Sequence, residues 1–193
     1  MSAITAAQAP TEPMNYPRPS KPVRRGAWIG TGLVAALLLA ALVVGLGLEA
    51  TAVSAWLSLA LTVLIGIPIA AIDRRHHLIP NWLVAALAAG TLAASLPNLL
   101  PAVLAAVAVG GVYLMLNLLA GIGMGDVKLA AVCALSWGVQ GLEITIIGFV
   151  AAFAAAFPMA LHATLAGRRG MHVAFGPWIL LGSLIALTWS LLP

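Results

Sequence analysis

The sequence predicts an all-α polytopic membrane helix bundle of about seven transmembrane helices, with the N-terminus cytoplasmic and the C-terminus extracytoplasmic. Three observations carry this. Of 193 residues, 63% are hydrophobic and 7% charged, whereas soluble domains hold roughly 45–50% and about 25%; mean hydropathy is +1.10. The apolar residues fall in sustained runs without strand-like alternation, and lipid admits such runs only as helices. The basic residues collect on one side of the map those runs define. An ordinary soluble domain, a disordered chain and a nucleic-acid-binding module are excluded. About seven spans of roughly 20 residues use about 140 positions, leaving short loops and one tail.

The elements follow in order. Residues 1–26 are polar and rich in Pro and small residues, which predicts a disordered cytoplasmic tail. Residues 27–193 are expected to form a single transmembrane domain. The apolar segments are Trp28–Leu48, Val53–Ile72, Trp82–Leu96, Ala102–Leu119, Val127–Val139, Leu142–Leu165 and Phe175–Leu192. The first is too long for the core of a secretory signal. The third and fifth are short for a full crossing. Pro68 and Pro158 are predicted kinks. With the tail inside, the inside loops are 73–81, 120–126 and 166–174. Arg18, Lys21, Arg24, Arg25, Arg74, Arg75, Lys128, Arg168 and Arg169 all lie on or beside that face, while Glu49 and Glu143 mark the other. Basic residues flanking spans on one side set orientation.

Small residues such as Gly110-Gly111 and Ala154-Ala155-Ala156 allow close helix approach. Trp28, Trp82, Trp137 and Trp189 flank spans, as interface anchors do. Tyr113 and Asn117 read as interhelical hydrogen-bond partners, and Cys133, the single cysteine, as a small buried hydrophobe.

Two acids stand where apolar runs meet the basic side. Asp73 precedes Arg74-Arg75-His76-His77-Leu78 and then Ile79-Pro80-Asn81, where Asn81 is suited to cap the next helix. Asp126 closes Gly121-Ile122-Gly123-Met124-Gly125-Asp126, whose alternating glycines clear room for an extended peptide near the acid. Two crossings separate the acids, so the chain returns to the same face and they are expected to be neighbours. Two close carboxyls do not both ionise easily. One holds a proton, which yields an acid and a base for activating water against an amide. Taken singly, Asp73 also fits a boundary residue paired with Arg74, Asp126 a helix N-cap, and the two together a proton relay. His76, His77, His162 and His172 read as interfacial residues rather than ligands, and no metal or other cofactor is implied. Lys128 reads either as offsetting a charged Asp126 or as anchoring its helix.

The residues now resemble a known family. Asp73 with Ile79-Pro80-Asn81, then Gly123-Met124-Gly125-Asp126-Val127-Lys128-Leu129, then Phe175-Gly176-Pro177 are similar, in order, to the motifs of the type IV prepilin peptidases, membrane aspartic proteases of the GxGD class. The motifs cover residues 73–177. The resemblance implies cleavage of prepilin-like precursors after a glycine that ends a basic leader, ahead of an apolar helix, at the cytoplasmic membrane face. Asp73 and Asp126 would be the catalytic pair, with Gly123, Gly125, Lys128, Pro80, Asn81, Gly176 and Pro177 binding substrate or shaping the site. The implied partners are the prepilin-like protein, the lipid bilayer and pilus or secretion assembly machinery, with no nucleic acid. The implied location is the prokaryotic cytoplasmic membrane, as a multi-pass protein. Larger members carry a paired-cysteine module and N-methylate the new terminus. Such a module is missing from this sequence, which resembles the short forms of tight-adherence or Flp pilus systems, and methylation is not expected. Rival readings are a small proton-coupled transporter using the same acids, and a non-catalytic membrane subunit of a pilus machine.

Overall fold

The computed structural model describes residues 50–165 and 174–192. The predicted tail, the first apolar segment Trp28–Leu48, most of the 166–174 loop and His172 lie outside the described residues, as do six of the nine basic residues. Within them the fold is all-helical, without strands. It comprises α1 (Ala50–His76), α2 (Asn81–Ala94), a 3-10 turn (Leu96–Asn98), α3 (Leu99–Ala120), α4 (Met124–Gln140), α5 (Leu142–Leu165) and α6 (Gly176–Trp189). Three stretches are long and apolar enough to cross a membrane: α1, the 3-10 turn with α3, and α5. This is a helical membrane protein. The 14 residues of α2 and of α6 span only about 21 Å each, short of a hydrocarbon core of about 30 Å.

Local chemistry sets the helix ends. Pro80, with φ −66°, precedes α2 and cannot extend a helix backwards through its missing N–H. Gly121 closes α3 in the left-handed region (φ 72°), its N–H bonded to Asn117 O at 3.1 Å. Gly141, at φ 113°, is the whole connection between α4 and α5. An L side chain is strained at that angle, so a one-residue reversal there selects glycine.

Several boundaries differ from expectation. The loop predicted over 73–81 shrinks to residues 77–80, because α1 runs on through Asp73, Arg74, Arg75 and His76. Cationic side chains in a last turn complement the helix dipole, so the basic residues extend the helix instead of ending it. His77 stops it at φ 50°, its N–H on Asp73 O at 2.8 Å. Asn81 is the first residue of α2, not its cap, and Asp126 is the third residue of α4, within its first turn, while Gly123 is the cap. Pro68 and Pro158 sit within continuous helices.

The bundle is arranged around α4, which packs against α1, α2, α3, α5 and α6. Its buried residues include Val127, Leu129, Ala130, Val132, Cys133, Ala134, Ser136 and Trp137, which cover most of its circumference and leave the face of Lys128, Ala131 and Leu135 exposed or half-buried. Enclosure by protein removes the need for a lipid-spanning length, which accounts for a helix of 17 residues. It also corrects the reading of Trp137. That ring is fully buried, not interfacial, and its Nε1–H donates to Ser183 Oγ on α6 at 3.1 Å. Trp82 and Trp189 are exposed, as anchors require. Cys133 is buried and free. Tyr113 and Asn117 do not bond between helices: Asn117 Nδ2 donates locally to Ile122 O, and the Tyr113 hydroxyl has no partner.

Contacts around α4 leave no room for added atoms at its far end. A Cβ on Gly138 would stand 2.5 Å from Pro101 O and 2.7 Å from Ala102 Cα, both backbone of α3. Gly111, on the exposed face of α3, meets nothing within 4 Å. Gly138→Ala should therefore destabilise the protein by about 1–3 kcal/mol, whereas Gly111→Ala should be neutral or stabilise it by up to about 1 kcal/mol. Thermal unfolding of both variants in detergent checks the contrast.

Candidate functional site

The site lies at the end of the bundle where α1 and α3 finish and α2, α4 and α6 begin. Asp73, in the last turn of α1, is 4% exposed. Its Oδ2 accepts a hydrogen bond from the Gly176 N–H at 3.1 Å. That amide belongs to the first turn of α6, whose N–H groups have no partner within the helix and carry the positive end of its dipole. Pro177 supplies no N–H at the next position, so the Gly176 amide is the donor that remains there. Trp178 and Ile179 return their N–H groups to Phe175 O at 3.0 and 3.2 Å. Gly176 has a steric reason as well. A Cβ there would lie 2.7 Å from Asp73 Oδ2 and 3.2 Å from Ile79 Cδ1. Phe175-Gly176-Pro177 thus forms a close-fitting seat for the first acid.

Asp126 stands in the first turn of α4, 8% exposed, its N–H bonded to Gly123 O at 3.0 Å. A carboxylate near a helix N-terminus is favoured by the dipole. Its Oδ2 lies beside Gly123, where an added Cβ would come within 3.1 Å, while its Oδ1 is buried without a partner. The Asp73 carboxyl is close enough to act electrostatically on Asp126, and His77 acts likewise on Asp73. Two acids from separate helices therefore share one local field. Carboxyls in one field do not both ionise easily.

Ile79 joins the two halves. A Cβ on Gly125 would lie 3.0 Å from Ile79 Cβ, and Gly176 approaches the same side chain from α6. Ile79 is thus a wedge between the starts of α4 and α6. In the sequence Ile79 reads only as part of a motif, because an apolar residue beside Pro80 gives no sign of what it touches. This also revises Gly125: it packs against Ile79 instead of clearing space for a peptide, whereas Gly123 is exposed.

The remaining expected residues form a rim. Pro80 is half-buried and sets the turn into α2. Asn81 and Lys128 are exposed and pair with each other, Lys128 Nζ donating to Asn81 Oδ1 at 3.1 Å. Lys128 thus ties the start of α2 to α4. Arg74, Arg75, His76 and His77 are exposed around the same end. Among the described residues no group of three His, Cys, Asp or Glu side chains is placed to hold a metal ion.

A fold of this class, a membrane helix bundle with two buried carboxyls at one end, can be set against known proteins. The chain belongs to the type IV leader peptidase family, a family of aspartic peptidases, whose model matches residues 59–164. The match includes Asp73, Ile79-Pro80-Asn81 and Gly123–Asp126, and stops short of Phe175-Gly176-Pro177. No curated protein and no solved structure matches the chain.

The Asp73–Gly176 contact generates a test that does not depend on activity. Gly176→Ala should push the Asp73 carboxyl out of its seat. A water-soluble carbodiimide should then modify Asp73 several-fold faster than in the parent protein, as read by peptide mass spectrometry; equal rates would contradict the geometry.

Proposed function

We propose that the protein is a prepilin leader peptidase with Asp73 and Asp126 as its catalytic pair. The observation that carries this reading is the meeting of the two buried carboxyls at one end of the bundle, in a chain of the type IV leader peptidase family. The substrate is a prepilin-like precursor. It is cut after the glycine that ends its basic leader, ahead of its apolar helix, at the cytoplasmic face of a prokaryotic cell membrane that the enzyme crosses several times.

The chemistry follows from a shared proton. The ionised carboxylate takes a proton from a water molecule, and that water attacks the scissile carbonyl carbon. The protonated partner donates to the carbonyl oxygen as negative charge develops there. Collapse of the tetrahedral intermediate passes a proton to the departing amine and restores the one-proton pair. The titration belongs to the pair rather than to either residue. The Gly176 amide holds Asp73 in place, and the Lys128–Asn81 bond steadies the turn beside Asp126. Pilus or secretion assembly proteins are the expected neighbours. The reading does not include N-methylation.

The acids' position at the bundle end, beside exposed Arg74 and Arg75, favours a peptidase over a transporter, whose relay acids are expected near the bilayer midplane. Co-expression with a prepilin provides the test. Asp73→Asn and Asp126→Asn should each lower leader cleavage by at least about 10³-fold while the protein still inserts, and the double variant should be no worse than either single one, because residues acting as a unit are not additive. Cleavage by either single variant at near the parent rate would reject the pair.

A further inference from the structure

Tyr113 is fully buried on α3. Its ring packs on Phe149, Phe153 and Phe175 at centroid distances of 6.1, 5.5 and 6.0 Å. Phe175 directly precedes Gly176, so this aromatic cluster backs the seat of Asp73. Packing accounts for the ring but not for the hydroxyl, since a phenylalanine would fill nearly the same space. The Tyr113 oxygen is buried without a hydrogen-bond partner, and so is Asp126 Oδ1. A buried polar atom left unpaired costs about 1–3 kcal/mol, and two such atoms in one region call for an explanation.

The helix register sets them at nearly the same level. Gly110 of α3 and Ala131 of α4 approach so closely that a Cβ on Gly110 would lie 3.0 Å from Ala131 Cβ. Antiparallel helices in that register set Tyr113 level with Lys128, about half a turn from Asp126. Tyr113 and Asp126 also interact electrostatically, and the other group acting on the hydroxyl is Cys133, two turns into α4.

We propose that Tyr113 is a positioning residue for Asp126: its hydroxyl donates a hydrogen bond to one water that in turn donates to Asp126 Oδ1, and this bridge fixes that carboxyl's orientation for proton transfer. This rests on the reading of Asp126 as half of the catalytic pair. The bridge gives both orphaned atoms a partner and leaves Asp126 Oδ2 for the reaction.

The test uses the full chain in lipid vesicles with Tyr113→Phe, which keeps the ring. Infrared spectroscopy should show a carboxyl C=O band that disappears in Asp126→Asn and shifts in Tyr113→Phe. With a synthetic precursor carrying a basic leader, a glycine and an apolar helix, kcat should fall about ten- to hundredfold, the loss expected for one hydrogen bond to a charged group, with KM within about twofold. Phe153→Leu loosens the same rings without touching the hydroxyl and should leave the band in place. An unmoved band in Tyr113→Phe, an equal shift in Phe153→Leu, a parental kcat, or a change in KM alone would each overturn the proposal. Should the parent protein cleave no precursor, the peptidase reading fails, and the infrared band still decides whether the hydroxyl is bridged to Asp126.

Discussion

A carboxyl group buried in an apolar bundle has to find donors inside the protein, and Asp73 finds one in the Gly176 N–H. Much of the site depends on that bond. It ties the last turn of α1 to the first turn of α6, far apart in sequence. It satisfies one of the amides a helix start otherwise leaves open. It requires glycine at 176, because a side chain would occupy the space of the acid itself. It also brings Ile79 against Gly176, and through Ile79 the start of α4 with Asp126. Breaking it would leave a buried carboxyl uncompensated, which is more costly than the bond's net worth suggests.

The second constraint is the enclosure of α4. Lipid is as apolar as leucine, so membrane helices hold together by close packing and by hydrogen bonds instead of by exclusion from water. Here the glycines do that work: Gly138 meets α3 backbone, Gly148 lies under the Trp137 ring, and Gly182 meets backbone of α5. The Trp137–Ser183 bond fastens α4 to α6 deep in the bundle. A helix packed against five others keeps its first turn fixed, and Asp126 is on that turn. Precision at the acids is thus set in part by contacts at the opposite end of the same helix.

Much of this was legible in the sequence. The positions of the helices follow from sustained apolar runs, and the convergence of Asp73 and Asp126 follows from the two helices between them, which return the chain to the same end of the bundle. What escaped the sequence depends on tertiary contact. The partner of Asp73 is a backbone amide, which no residue identity announces. Ile79 looks like any apolar residue until α4 and α6 are placed on either side of it. Trp137 ends an apolar run, as interface anchors do, and only the surrounding helices show it to be core. The end of α1 also escapes the sequence, because charge after an apolar run reads as the start of a loop, although cations suit the C-terminus of a helix.

The central claim is that two acids from distant helices meet at one end of the bundle. Cysteine cross-linking in membranes tests it most directly. In a Cys133→Ala background, Asp73→Cys with Asp126→Cys should be joined efficiently by a short bifunctional thiol reagent, whereas Asp73→Cys with Glu143→Cys, which lies at the other end of the bundle, should not. Failure of the first pair to join, or labelling of its two thiols from opposite sides of the bilayer, would contradict the account.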